Sequence, residues 1–335
     1  MKFLVFPILL LVYSCSTSKK TGLEHCFKNK AVAEIGTNRI KLLIANVDVC
    51  QKKIVKEIHK QDWPIEQDKS VFLELDGTQA LSHESKDKTL LAFQEIKLVF
   101  EKFKVINPDV IATGIFREVT NADLLFDKIQ NIIGTYPRLL SVLEEAQIGL
   151  KSLQTVEGTL PGELVLWDIG GNSSQITIRA GGKTRYILGG HGSQYYKTLA
   201  IQILKRRLTP NPIKLSNLTK VKNGFKKSTE EYLRAAPDLP EGITVYGIGG
   251  VHSKSILDMI NSYHETKNNF YTLEELRQLI VDSANLSDGQ LAGVYASKRV
   301  TNAMLAEVIM DYLNIDRVDV RDLDLTSGIL LFGVR

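Results

Sequence analysis

Residues 168–174 read Asp-Ile-Gly-Gly-Asn-Ser-Ser and follow the apolar run 164–167, Leu-Val-Leu-Trp. This is the pattern of a strand that delivers a carboxylate and then glycines into a tight turn, with Gln175-Ile176-Thr177-Ile178 returning as a second strand. Glycines at 170 and 171 let backbone N–H groups crowd around an anion where a side chain would block approach. Asp168, at the strand end, is placed to hold a metal or a water beside that anion. One such turn says little, since many hairpins carry Gly-Asn tips and bind nothing. Here there are two. Glu34-Ile35-Gly36-Thr37-Asn38 also ends a short apolar strand, 31–35, and precedes another, 40–47. Two acidic-Ile-Gly turns, one near the start of each half, indicate a duplicated unit with an anion held between the halves.

The elements that would position these turns follow from hydrophobic periodicity. Strands are expected at 31–35, 40–47 and 53–59, then an amphipathic helix over 82–103 and a short buried strand at 110–113. A helix opening at Thr120-Asn121-Ala122-Asp123 runs to 133, followed by a strand at 138–142 and a helix over 143–155. The second half repeats the plan, with strands at 164–167, 174–179 and 184–188, then helices. A late strand at 243–246 runs into Gly247-Ile248-Gly249-Gly250 and a helix, and the last helix, 301–313, precedes a strand at 317–320. Three antiparallel strands followed by alternating helices and strands, twice over, is an α/β plan with mixed sheets.

The chain has 335 residues, enough for two domains, with 44% hydrophobic and 24% charged residues. A formal charge of +4 without a standout basic block makes nucleic acid an unexpected partner. Before the first turn lies what reads as an address. Lys2 precedes an apolar run, 3–13, too short to span a bilayer and shaped like a secretory signal. Val12-Tyr13-Ser14-Cys15 resembles a lipoprotein signal-peptidase site, which would make Cys15 the lipidated new N-terminus and 16–22 a polar tether. An ordinary cleaved signal and a mis-assigned start are the alternatives. The lipoprotein reading implies export to a bacterial cell envelope and a membrane partner through the lipid. It divides the chain into 1–22 (signal and tether), 23–148 and 149–335. In an oxidising compartment, a hairpin tip at 36–39 puts Ile35 opposite Lys41 and brings Cys26 close to Cys50, where a disulfide would close the open end. A bulge would break that register, so the pairing stays open.

Several ordered motifs between 31 and 331 resemble the exopolyphosphatase and guanosine pentaphosphate phosphohydrolase group, the Ppx/GppA phosphatases. The first turn is similar to the group's Asp-x-Gly-Ser-Asn-Ser. Residues 112–121, Ala-Thr-Gly-Ile-Phe-Arg-Glu-Val-Thr-Asn, resemble its Ala-Thr-Ser-Ala-x-Arg-Glu-Ala-x-Asn. Residues 140–146, Leu-Ser-Val-Leu-Glu-Glu-Ala, resemble Ile-Ser-Gly-x-Glu-Glu-Ala, and 168–175 its Asp-Ile-Gly-Gly-Gly-Ser-Thr-Glu. Gly247-Ile248-Gly249-Gly250 matches its third glycine turn. The resemblance implies two ribonuclease-H-like domains of the actin and sugar-kinase type with a cleft between them. It implies magnesium-dependent (Mg2+) hydrolysis of terminal phosphoryl groups of polyphosphate or guanosine pentaphosphate. Carried across by position, Glu145 is the catalytic base and Asp168, with Glu34, the metal ligand. Gly36, Thr37, Asn38, Arg117, Gly170, Gly171, Asn172, Ser173, Gly249 and Gly250 hold phosphate. The longer members carry further helical domains associated with long-chain binding and dimerisation. A single core therefore implies shorter substrates, and a homodimer stays open. The chemistry is coherent, because cleaving a phosphoanhydride needs an oriented water and donors or cations on the phosphoryl oxygens.

The departures are specific. Glu34 stands for the group's Asp, Thr37 for Ser and Arg39 for its second Ser; Asn172 replaces Gly, Ser174 Thr and Gln175 Glu. Gln147 and Thr326 stand where arginines are usual, and Val251-His252 where a small hydroxyl residue is. Asn172 tolerates positive φ better than most residues. Arg39 either adds a cation to the phosphate or fills its space. These changes keep open a second class of function, a non-catalytic polyphosphate or nucleotide binder that retains the fold, with a kinase as a weaker third. His191 reads as a loop residue without metal spacing, and Lys254 and Lys151 as either cleft-lining or solvated.

Overall fold

The computed structural model describes residues 26–65, 71–73, 78–189, 191–293 and 295–333, with the backbone alone described over 71–73. Cys15 and the expected signal and tether lie outside the described residues. Among the described residues, no helix is long and apolar enough to cross a membrane.

The first hairpin sets the geometry of the first half. β1 (Phe27–Ile35) and β2 (Arg39–Asp48) pair antiparallel, with Ile35 opposite Ile40 and Glu34 opposite Lys41. The register differs by one residue from the expected Ile35–Lys41 pairing. The cause is the tip, where the Gly36 N–H donates to the Arg39 carbonyl at 3.0 Å and leaves only Thr37 and Asn38 in the loop. The ladder ends at Phe27–Asp48, and just beyond it Cys26 and Cys50 form a disulfide across 5.3 Å between Cα atoms. Buried Asp48 fixes that end by accepting from the Cys50 and Gln51 N–H groups, each at 2.9 Å. Replacing both cysteines by serine is expected to lower stability by roughly 2–3 kcal/mol, since the bond closes a separation of 24 residues. Urea unfolding checks this, and an unchanged midpoint would show that the ladder alone holds the hairpin closed.

β3 (Lys53–Pro64) extends the meander, and β4 (Val71–Leu73) with β5 (Gln79–Leu81) forms a small ribbon. α1 (His83–Phe103) begins where Ser82 accepts from the Ser85 N–H, and ends at left-handed Lys104. β6 (Asp109–Ala112), the 3-10 turn Gly114–Arg117, α2 (Ala122–Ile133), β7 (Arg138–Leu139) and α3 (Val142–Glu157) follow. The first sheet has the order β3-β2-β1-β6-β7, antiparallel on the meander side and parallel beyond β1.

The second half repeats this. β8 (Leu164–Ile169), β9 (Ser174–Ala180) and β10 (Lys183–Gly189) form the meander, then come α4 (Ser193–Ile203) and α5 (Leu218–Leu233). β11 (Thr244–Ile248) leads through a π-helical stretch, Val251–Leu257, into α6 (Asp258–His264). β12 (Phe270–Thr272), α7 (Leu273–Ser283), α8 (Asp288–Leu291), α9 (Arg299–Leu313) and β13 (Arg317–Val320) complete it. The sheet order is β10-β9-β8-β11-β13-β12, the same plan with one strand added at the edge. Each sheet has its own core. Phe93, Ile96 and Phe126 pack under the first, and Trp167, Phe225 and Met304 belong to the second.

The sequence pattern does not announce the closing helix, α10 (Leu325–Phe332). Its run Leu-Thr-Ser-Gly-Ile-Leu-Leu-Phe is short and apolar, a pattern that periodicity cannot assign to helix or strand. It returns to the first sheet, where Ile329 and Leu330 bury against Val32 and Leu43, and Lys30 donates to the Leu330 carbonyl at 2.9 Å. Gly328 permits the close crossing with α3, for a Cβ there would lie 2.0 Å from Ser152 Oγ. α3 itself spans the expected junction at 148/149 and joins a small core with β8 and β11 through Leu153.

Candidate active site

β1 and β8 occupy equivalent places in the two sheets, and both point their C-terminal ends into one cleft. Each delivers a carboxylate there, Glu34 from β1 and Asp168 from β8, followed by a glycine turn. The cleft has a volume of about 350 Å3. Gly36, Thr37 and Asn38 line it from the first domain; Gly170, Gly171, Asn172 and Ser173 face them from the second, with Gly249 and Gly250 alongside. The turns touch where the Asn38 amide packs on Gly171, and within the first domain Thr37 Oγ1 accepts from the Ile115 N–H at 3.2 Å. Gly249 must be glycine on two counts. Its φ is +86°, and a Cβ there would lie 2.5 Å from Asp168 Oδ1. Asn172 needs no left-handed backbone, and its amide donates to Glu118 Oε1 at 2.9 Å.

Glu145 enters from the first turn of α3. Ser141 and Glu144 close a capping box at that terminus, which turns Glu144 outward and leaves Glu145 facing the cleft, only 5% exposed. Glu145 Oε1 is paired with Arg117, and Oε2 accepts from Gln175 Nε2 at 3.0 Å. Gln175 also donates to Ser173 Oγ at 3.0 Å. Arg117 pairs with Glu145 at the cleft edge, donates to the Leu140 carbonyl at 2.8 Å and reaches Ser173 Oγ of the second turn at 3.5 Å. Burial pushes the Glu145 carboxyl up to about 7, against the pull of Arg117. Burial, with Glu145 as a like-charged neighbour, also pushes Asp168 up to about 7, and burial raises Glu34.

Residues 70–333 match the Ppx/GppA phosphatase family. The chain belongs to this family. Exopolyphosphatase 2 of Mycobacterium tuberculosis is 21% identical over 324 residues, covering 90% of this chain and 97% of that protein. Among solved structures, an exopolyphosphatase from Cytophaga hutchinsonii superposes with a TM-score of 0.73 at 17% identity, over 92% of this chain and 98% of the other. A Ppx/GppA family member from Aquifex aeolicus gives 0.70 at 18% identity, over 92% and 98%. These likenesses establish the fold as two actin-like domains around a cleft.

Members of the Ppx/GppA family generally use divalent metal ions, and the donor chemistry of this cleft fits one. Glu34 and Asp168 offer hard oxygen ligands, and Gly249 leaves open the space beside Asp168 Oδ1. Among the described residues, no three such groups in the cleft bring ligand atoms within 4.8 Å of one another; the one group that does, Cys26, Asp48 and Cys50, contains the disulfide.

Sequence reasoning missed two charged residues of this Ppx/GppA site. Lys41, opposite Glu34, donates to its Oε2 at 3.2 Å and stands 3.9 Å from Asp324. Burial works against a charged Lys41, but Glu34 and Asp324 outweigh it and raise its pKa. Burial likewise pushes Asp324 up, but Lys41 and the Thr326 hydroxyl outweigh it and hold it below the usual carboxylate range. Of the two lysines left open, Lys254 lines the cleft 3.5 Å from Asp322, whereas Lys151 lies over the Phe332 ring. His252 is a core residue: its Nδ1 meets Tyr271 Oη at 2.8 Å, and burial pushes it down to about 3.

Proposed function

We propose that the cleft hydrolyses terminal phosphoanhydride bonds of inorganic polyphosphate or guanosine pentaphosphate, with Glu145 as the base that accepts the proton of the attacking water. The supporting observation is a nearly buried glutamate on the cleft wall whose carboxyl sits at about 7, where a general base is both free of its proton and basic enough to take one. The water oxygen forms the new bond to the terminal phosphorus, and the bond from phosphorus to the bridging oxygen breaks toward the remaining chain. Backbone N–H groups of the three turns are the donors for the phosphoryl oxygens. Asp168 and Glu34 would hold magnesium, whose charge offsets that of the phosphoryl group. Arg117 fixes one oxygen of Glu145 and Gln175 the other, so the base is presented in one orientation. Phosphate release from tripolyphosphate, long polyphosphate and guanosine pentaphosphate, with magnesium, tests this. No release from any of them would retire the hydrolase reading.

The same two contacts favour a second reading. With both oxygens engaged, Glu145 is a wall of a binding site rather than a base, and the chain is a polyphosphate or nucleotide binder. Tight binding without turnover, unchanged in Glu145→Gln, distinguishes it.

The chain is further proposed to be exported and held at a membrane by a lipid on Cys15, a reading supported by the signal-like N-terminus and by the Cys26–Cys50 disulfide, a bond of oxidising compartments. Cys15→Ser should then move the protein from the membrane fraction to the soluble fraction. A wild type already soluble would end the anchor reading.

A further inference from the structure

A bare phosphate chain and a guanosine carrying one differ in width, and a cation–aromatic contact bridges this cleft. Arg39 opens β2 where the family resemblance has a small serine. Its guanidinium donates to Asp62 Oδ2 at 2.9 Å and lies over the Tyr295 ring, 5.8 Å from the centroid. Arg39 and Asp62 belong to the first domain and Tyr295 to the second, so the contact crosses the cleft. Tyr295 is backed by the third turn, its hydroxyl 2.3 Å from where a Cβ on Gly250 would sit. A second tie, Asn172 to Glu118 at 2.9 Å, joins the domains beside the paired turns. The cleft volume, about 350 Å3, is near the small end for ligand pockets.

We propose that Arg39 and Tyr295 form a gate that makes this cleft selective for bare inorganic oligophosphate over nucleoside polyphosphates. The proposal rests on the reading of the cleft as a phosphoanhydride site, and it names which substrate class that site takes. A phosphate chain is a thread of charge that passes a guanidinium and gains from its remaining N–H donors, with Lys60 and Lys254 also lining the cleft. A nucleoside needs width and a ring face. Among the described residues that line the cleft, Tyr295 is the only aromatic, and Arg39 already covers it. The gate thus acts by obstruction of the wrong ligand as much as by attraction of the right one.

Calorimetric binding of tripolyphosphate and of guanosine pentaphosphate, with magnesium, tests the gate in a Glu145→Gln background that prevents turnover. The expected result is a preference for tripolyphosphate of at least about tenfold, the scale on which a pocket rejects an oversized ligand. Arg39→Ser should cut that preference by about tenfold, chiefly through tighter guanosine pentaphosphate binding. Tyr295→Ala removes the other half and should move the ratio the same way. Equal or reversed preference in the starting protein, a ratio unmoved in both variants, or no binding of either anion would overturn the proposal. Phosphate release by protein with Glu145 intact separates the two readings. A shifted binding ratio without release leaves the gate and removes the hydrolase; release with an unmoved ratio does the reverse.

Discussion

Glu145→Gln lowers the rate of phosphate release by about 10²- to 10⁴-fold, the usual worth of a general base, with little change in KM. The substitution keeps the shape and the amide oxygen facing Arg117, but it cannot accept the water's proton. Glu144 is the control that makes the result specific. It sits one residue away, yet it accepts from the Ser141 N–H at 2.8 Å, pairs with Arg138, and its carboxyl is held low by those same donors. Glu144→Gln should therefore cost up to about 1 kcal/mol of helix capping and leave turnover within a few-fold. In the wild type, kcat/KM should rise with pH through about 7 as Glu145 loses its proton. Steady-state kinetics across pH 5–9 on the wild type and both variants checks the pair of claims. Equal losses at 144 and 145, or a rate flat through pH 7, would assign the base elsewhere.

Much of this site is legible in the sequence because its parts are local. A strand that ends in an acid and a glycine turn is written in consecutive residues, and both turns lie in the cleft. The start of α1 is equally local, with Ser82 capping it where periodicity places it, whereas Ser141, expected within a strand over 138–142, caps α3 instead and β7 stops at Leu139. What failed to show depends on distance or on single-residue register. Glu34 and Lys41 are directly opposed only in a two-residue turn; with the register one residue off, Lys41 reads as a partner of Ile35 and the buried ion pair disappears. Asp324 is 290 positions from Glu34 and reaches Lys41 only because α10 folds back onto the first sheet, which nothing in its apolar run announces. The Asn172–Glu118 and Arg39–Tyr295 contacts join different domains, so no pattern within either half encodes them. The family motifs marked both Arg39 and Asn172 as departures, but only the packing shows what each one meets.

Freed of divalent cations, the protein should lose stability as pH rises from about 5 to 8, and magnesium should reverse the loss at the upper end. Glu145 and Asp168 start from ordinary values of 4.5 and 3.8 in the unfolded chain and sit at about 7 when folded. Between those limits the folded state binds more protons than the unfolded one, so stability is fully present below the unfolded values and drains away as pH climbs through 7. By those shifts Glu145 alone is worth ~3 kcal/mol and Asp168 alone ~4 kcal/mol. The two interact and titrate as a pair, so the amounts do not simply add. Glu34, also raised, acts in the same direction. Asp324 shifts the opposite way but titrates below this window, and Lys41, raised like the other three, titrates above it. A divalent cation needs the ionised carboxylates, so it stabilises most where they have already lost their protons; at a hundredfold excess over its Kd it returns about 2.7 kcal/mol. Asp168→Asn should flatten the pH dependence and abolish most of the magnesium effect together. Urea unfolding at pH 5.5 and 8, with EDTA or with magnesium, reads both. A midpoint that rises with pH in EDTA would mean the cluster is already ionised and compensated in the folded protein, and an equal magnesium shift at both pH values would place the metal away from these carboxylates.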